Sequence, residues 1–99
     1  MHIKFSPVRL DSQLQAFVEG DCLVLNDQRY DFSPLKDGDI LPKEAIDCPW
    51  VAGDVYREGG DIHISLVLPH GIDAPYETRF PAPVVCQSGV IPFPPYGGV

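Results

Sequence analysis

The chain has 99 residues, enough for one domain that buries only about two-thirds of the surface its unfolded form exposes. Seven basic against fourteen acidic side chains leave a formal charge of -7; the basic groups are scattered, so a phosphate backbone would be repelled and direct nucleic-acid binding is not expected. Eleven prolines and nine glycines interrupt the chain too often for helices beyond two turns, which predicts strands and loops.

In chain order, His2 to Phe5 alternates with Ile3 and Phe5 on one side, and predicts a short first strand that Ser6-Pro7 ends. After a turn at Asp11-Ser12-Gln13, three short segments follow: Leu14 to Val18, Cys22 to Leu25 and Arg29 to Phe32. Two-residue loops at Gly20-Asp21 and Asn26-Asp27 would place Ala16, Val18, Leu23, Leu25, Tyr30 and Phe32 on one face, a three-strand meander with a core side. Lys36-Asp37-Gly38-Asp39 reads as a solvent-facing turn. It lacks the regularly spaced oxygen donors and the closing bidentate acid of a calcium loop. Leu41 to Ile46 has room for one helical turn, with Pro42 in a first-turn position that proline tolerates.

The longest run with a two-residue period is Trp50 to Leu68, WVAGDVYREGGDIHISLVL. It predicts a hairpin turning at Gly59-Gly60, where positive φ costs least. That register pairs Arg57 with Ile62, Val55 with Ile64, Gly53 with Leu66 and Val51 with Leu68, so the aliphatic residues share a face. The opposite face receives Tyr56 beside His63, Asp54 beside Ser65 and Ala52 beside Val67. A slip of one residue would turn the Ile/Leu set outward, so the pattern selects the register. Gly53 predicts a kink.

Beyond Leu68, Pro69-His70-Gly71 leaves the strand and Ile72 to Phe80 is an irregular connector with one helical turn at Pro75 to Thr78. Val84-Val85-Cys86 predicts the last strand. The segment from Val90 to Val99 is too rich in proline for a sheet interior and is expected to be extended, with mobility at its glycines. Within it, Phe93, Pro94, Pro95 and Tyr96 are the candidate partner-contact residues, because a rigid proline segment loses little entropy on docking into an aromatic groove. The competing reading folds Phe93 and Tyr96 back over an edge of the sheet. Together these elements predict a mainly β fold: a small antiparallel sandwich or twisted meander with one or two short helical turns, one domain over 1–91 and a tail over 92–99.

Residues that could carry chemistry are present without the spacing that chemistry needs. His63, His70, Asp73, Glu77 and Cys86 are metal-ligand types, but no pair falls on one helix face or one knuckle. Cys48 with His70 as base would need hydrogen-bond reach that the sequence does not encode, and no phosphate-binding loop or nucleophile elbow occurs. Hence no catalytic, cofactor-binding or metal-binding residue is expected, and the chain does not read as an enzyme. Three unpaired cysteines, Cys22, Cys48 and Cys86, fit a reducing compartment. MHIKFSPVRL lacks the apolar core of a signal peptide and no segment reaches the length of a membrane span, so a cytoplasmic protein without membrane contact is expected.

HIKFSPVRLDS at the start, DFSPL at Asp31 to Leu35, AIDCPWVAGDV at Ala45 to Val55, LVLPHG at Leu66 to Gly71 and ETRFPAP at Glu77 to Pro83 together resemble small proteins encoded in the tail-gene modules of bacteriophages and prophages of Gram-negative bacteria. The resemblance implies a non-enzymatic protein that contacts other phage tail or assembly proteins, as a minor tail component or assembly factor. It would reside in the bacterial cytoplasm or be incorporated in a virion. The alternative is a small acidic inhibitor or modulator that binds a host or phage protein by charge complementarity.

Overall fold

The computed structural model describes residues 1–97. Among these residues nine strands form two sheets: β1 (His2–Arg9), β2 (Ala16–Glu19), β3 (Cys22–Leu25), β4 (Gln28–Asp31), β5 (Ile40–Leu41), β6 (Val55–Glu58), β7 (Asp61–His70), β8 (Val84–Val85) and β9 (Ser88–Val90). A 3-10 turn at Lys43–Ala45 and the single-turn helix α1 (Tyr76–Arg79) are the helical elements, each opened by a proline, Pro42 and Pro75. The five-stranded sheet runs β5-β6-β7-β1-β8 and the four-stranded sheet β4-β3-β2-β9.

Local chemistry accounts for the turns. Gly20 has φ 60°, Asn26 and Asp27 have φ 46° and 70°, and Gly59 and Gly60 have φ 61° and 83°. The left-handed pairs at Asn26-Asp27 and Gly59-Gly60, and the single positive φ at Gly20, match the right-handed twist of the strands they join. Asn26 adds its side chain, accepting from the Gln15 N–H at 2.8 Å and donating to the Gln13 carbonyl at 3.2 Å. The meander pairs as its alternation predicts, Val18 opposite Leu23 and Leu23 opposite Tyr30.

One core lies between the sheets. Ile3, Val51, Val55, Ile62, Ile64 and Leu66 supply it from the larger sheet, and Ala16, Val18, Leu23, Leu25, Phe32 and Ile91 from the smaller sheet and its flanks. The mainly β class predicted from the pattern is the class observed, with one exception to its antiparallel pairing. β1 runs parallel to β7 over eight residues, from His2 opposite His63 to Arg9 opposite His70. The two strands are far apart in sequence, and the chain builds the meander before it returns, so a crossover replaces a hairpin.

The first strand also runs through Ser6-Pro7 where the sequence predicts its end. The Leu10 N–H donates to the His70 carbonyl, and Met1 and Cys86 exchange hydrogen bonds on the other flank. Even-numbered residues of β1 therefore bond toward β7 and odd-numbered ones toward β8. β8 reaches only His2 and Ile3, so the nitrogen of Pro7 faces a flank with no ladder bond to lose.

In the central hairpin Tyr56 pairs with His63 and Arg57 with Ile62, as predicted. The kink expected at Gly53 is present and changes the register beyond it: Val51 meets Leu66 instead of Leu68, two additional residues being taken up around Gly53. Val51 stays on the inner face because the shift is even. Val84-Val85 is not the last strand either. After Cys86 the chain changes layers, and β9 closes the smaller sheet beside β2.

Candidate functional site

Three arrangements gather the polar and aromatic side chains. The first is the C-terminal segment. Phe93 packs edge-on against Phe5 with ring centroids 5.6 Å apart. The Tyr96 hydroxyl donates to the Leu10 carbonyl and the Thr78 hydroxyl to the Pro95 carbonyl. The Gly71 N–H donates to the Tyr96 carbonyl at 2.8 Å. Residues 92–97 thus form a strap across the ends of β1 and β7. A glycine is required at its crossing, since a Cβ on Gly71 would lie 1.6 Å from the Gly97 carbonyl oxygen. Of the candidate contact residues, Phe93, Pro94 and Tyr96 are half-buried on the domain and Pro95 is exposed. The last two residues of the expected tail, and with them the mobility expected at Gly98, lie outside the described residues.

The second is a column of rings on the outer face of the larger sheet. Tyr56 on β6 and His63 on β7 stack at 4.8 Å with planes 4° apart, and His63 and His2 on β1 stack at 4.4 Å with planes 11° apart. The hairpin pattern predicts the first pair. The third ring depends on the parallel pairing of β1, which places His2 opposite His63. His2 Nε2 lies 3.1 Å from the Asp61 carboxylate. A cleft of about 410 Å³ opens over this face, bounded also by Lys4, Ser65 and the chain from Pro83 to Val85.

The third is a clamp at Arg57. Its side chain sits at an inward position of β6, opposite Ile62, and is 12% exposed. The guanidinium donates to Asp21 at 3.0 and 3.5 Å, to the Gly60 carbonyl at 2.9 Å, to the Phe32 carbonyl at 3.3 Å and, through Nε, to the Leu35 carbonyl. It joins the hairpin of one sheet to the turn and trailing loop of the other. The planar fork of arginine suits several acceptors at once. The only sequence signal for this residue is a charge at an inward position of the alternation.

The remaining chemistry-bearing side chains are dispersed. Cys48 is buried beside Tyr30, whose hydroxyl is pushed up to about 12 by hydrogen bonding with the Cys48 thiol and by burial. His70 donates from Nδ1 to the Gly71 carbonyl at 3.0 Å, and Cys86 turns its thiol to the carbonyls of Ser88 and Gly89. Burial and the Asp31 carboxylate push the Cys22 thiol up, which disfavours the thiolate that a nucleophile or ligand needs. Asp31 itself is held below the usual carboxylate range by the Ser33 N–H at 2.9 Å. Among the described residues no three His, Cys, Asp or Glu side chains come together in a group able to hold a metal ion. Among the same residues no helix is long and apolar enough to cross a membrane. No family model matches the chain, and neither does any curated protein sequence or solved structure.

Proposed function

We propose that this chain is a non-enzymatic protein of phage or prophage origin that acts through protein-protein contacts, as a minor tail component or an assembly factor, in the bacterial cytoplasm or within a virion. The observation that carries the reading is a set of large apolar side chains left outside the core on one connector. Ile72, Tyr76 and Phe80 are 77%, 71% and 65% exposed, and the Tyr76 and Phe80 rings lie 4.8 Å apart. The same helical turn holds the strap from its buried side through Thr78. Aromatic side chains are the commonest anchors of protein interfaces, and a short turn held by a docked strap presents them with little ordering left to do. Phe93, Pro94, Pro95 and Tyr96 then support and border the contact surface, whose partners are other tail or assembly proteins.

The test uses the tagged full chain in cells carrying an induced prophage, beside a Tyr76→Ser, Phe80→Ser double variant. Both substituted positions are largely exposed, so the fold should be altered by less than about 1 kcal/mol. The wild-type chain should cosediment with phage particles or assembly intermediates and the variant should not. Equal recovery of the same partners by both proteins would refute the contact surface. A monomeric target released steeply by salt would favour the acidic-inhibitor reading instead.

A further inference from the structure

The cleft on the outer face of the larger sheet takes no part in the contact reading, and its chemistry differs from that of the rest of the molecule. Acidic side chains outnumber basic ones two to one in the chain as a whole. The cleft lining holds two of the three histidines, a lysine and a serine, and no carboxylate. Asp61, outside that lining, lies against His2 Nε2 at 3.1 Å.

Register decides how these groups are presented. His2 stands opposite His63 and Lys4 opposite Ser65, and a two-residue step along a strand keeps the same face, so the four form a compact block. Both faces of the His63 ring are covered, by Tyr56 and by His2. Only its edge, which carries the ring nitrogens, is left to meet a ligand. His63 is half-buried and Lys4 exposed, and no hydrogen bond or ion pair to another side chain occupies either group among the described residues, so both are open to an incoming ligand. Across the cleft, Pro83 and Val85 supply an apolar wall. A volume of about 410 Å³ falls in the range of small-molecule sites, which combine apolar walls with a few convergent polar groups.

We propose that this cleft binds a small organic anion, its charged head held by the His63 edge, the Lys4 ammonium and the Ser65 hydroxyl, and its compact apolar body laid against Pro83 and Val85. The head is a carboxylate or a phosphate, since both accept charge-assisted hydrogen bonds from such donors.

The test titrates the full chain at neutral pH and low salt with phenyl phosphate, benzoate, inorganic phosphate and benzyl alcohol. It follows the ring signals of His2 and His63 and the amides of β1 and β8 by NMR. At least one aromatic anion should saturate these signals at roughly millimolar concentration or below, a range typical of a weakly held fragment. The tighter of the two names the head group. Inorganic phosphate, which lacks the body, and benzyl alcohol, which lacks the charge, should each bind about tenfold more weakly. Lys4→Gln, at an exposed position, and His63→Phe, which keeps a ring in the column without its nitrogens, should each weaken the better anion by about tenfold. No saturable shift with either aromatic anion, an equal affinity for benzyl alcohol or for inorganic phosphate, or full affinity in Lys4→Gln would each overturn the proposal.

Discussion

Replacing Arg57 by alanine should be among the most damaging single changes in the protein, and the structure allows its size to be worked out. The Asp21 side chain is 42% exposed, so its charge can return to water, and that contact contributes less than about 1 kcal/mol. The Gly60 carbonyl is also on an exposed turn and costs little. The carbonyls of Leu35 and Phe32 lie in partly buried surroundings, and leaving each without its donor costs about 1 kcal/mol. Losing the packed aliphatic stem adds about 1 kcal/mol more. The total is about 3 kcal/mol, a large share of the stability of a domain this size. Urea unfolding followed by the fluorescence of the single tryptophan, Trp50, reads it directly. With a slope of about 1.5 kcal/mol per molar urea, the midpoint should fall by about 2 M. Arg57→Lys should recover only a minor part, because a single ammonium cannot reach acceptors spread around a fork. Asp21→Asn should cost less than about 1 kcal/mol. If Arg57→Ala cost no more than Asp21→Asn, the carbonyl contacts would carry nothing and the clamp would be an ordinary surface ion pair.

Gly71→Ala should dislodge the strap, since the added methyl meets the Gly97 carbonyl: fast amide exchange at residue 71 and loss of the Phe5 ring-current effect on Phe93 are expected, and unchanged Phe93 signals would contradict the crossing. Asp27→Gly should stabilise the fold by about 0.5 kcal/mol, because φ 70° is strained for an aspartate and free for glycine; thermal unfolding measures it, and a fall in midpoint would count against the turn geometry. Tyr30 should ionise near pH 12, seen as an absorbance step near 295 nm that Tyr30→Phe abolishes. Because its folded value lies above the unfolded value of 10, the associated stability is complete below pH 10 and is lost as pH rises toward 12. A variant with the same alkaline unfolding curve as wild type would remove that contribution.

The parts of the fold that the sequence reveals are those set by neighbours along the chain. Gly20-Asp21, Asn26-Asp27 and Gly59-Gly60 each announce a turn, and once a turn is placed, alternation assigns Val18, Leu23, Val55 and Ile64 to the core without any long-range knowledge. What escapes the sequence depends on segments meeting from opposite ends. Nothing near His2 states that it will lie beside His63, so the third ring of the column, and the cleft above it, are invisible until β1 is set against β7. Arg57 escapes for a different reason: alternation points it inward, where its length lets it cross to the other sheet, and no local rule names the acceptors waiting there. The strap is an intermediate case. Burial of Phe93 and Tyr96 is one of the two readings open from composition, but the Gly71 crossing that seats them requires both glycines at once.

The parallel alignment of β1 with β7 also bears on how the protein reaches this state. The meander and the β6–β7 hairpin can close through short loops on the microsecond scale, whereas β1 has no neighbour to receive it until β7 has formed some sixty residues later. Loop-closure entropy is spent before that pairing returns anything. During synthesis the opening segment must wait, bare-edged, for the ribosome to deliver its mate, and assembly of the larger sheet is the slow, aggregation-exposed phase that a chaperone would be recruited to shield.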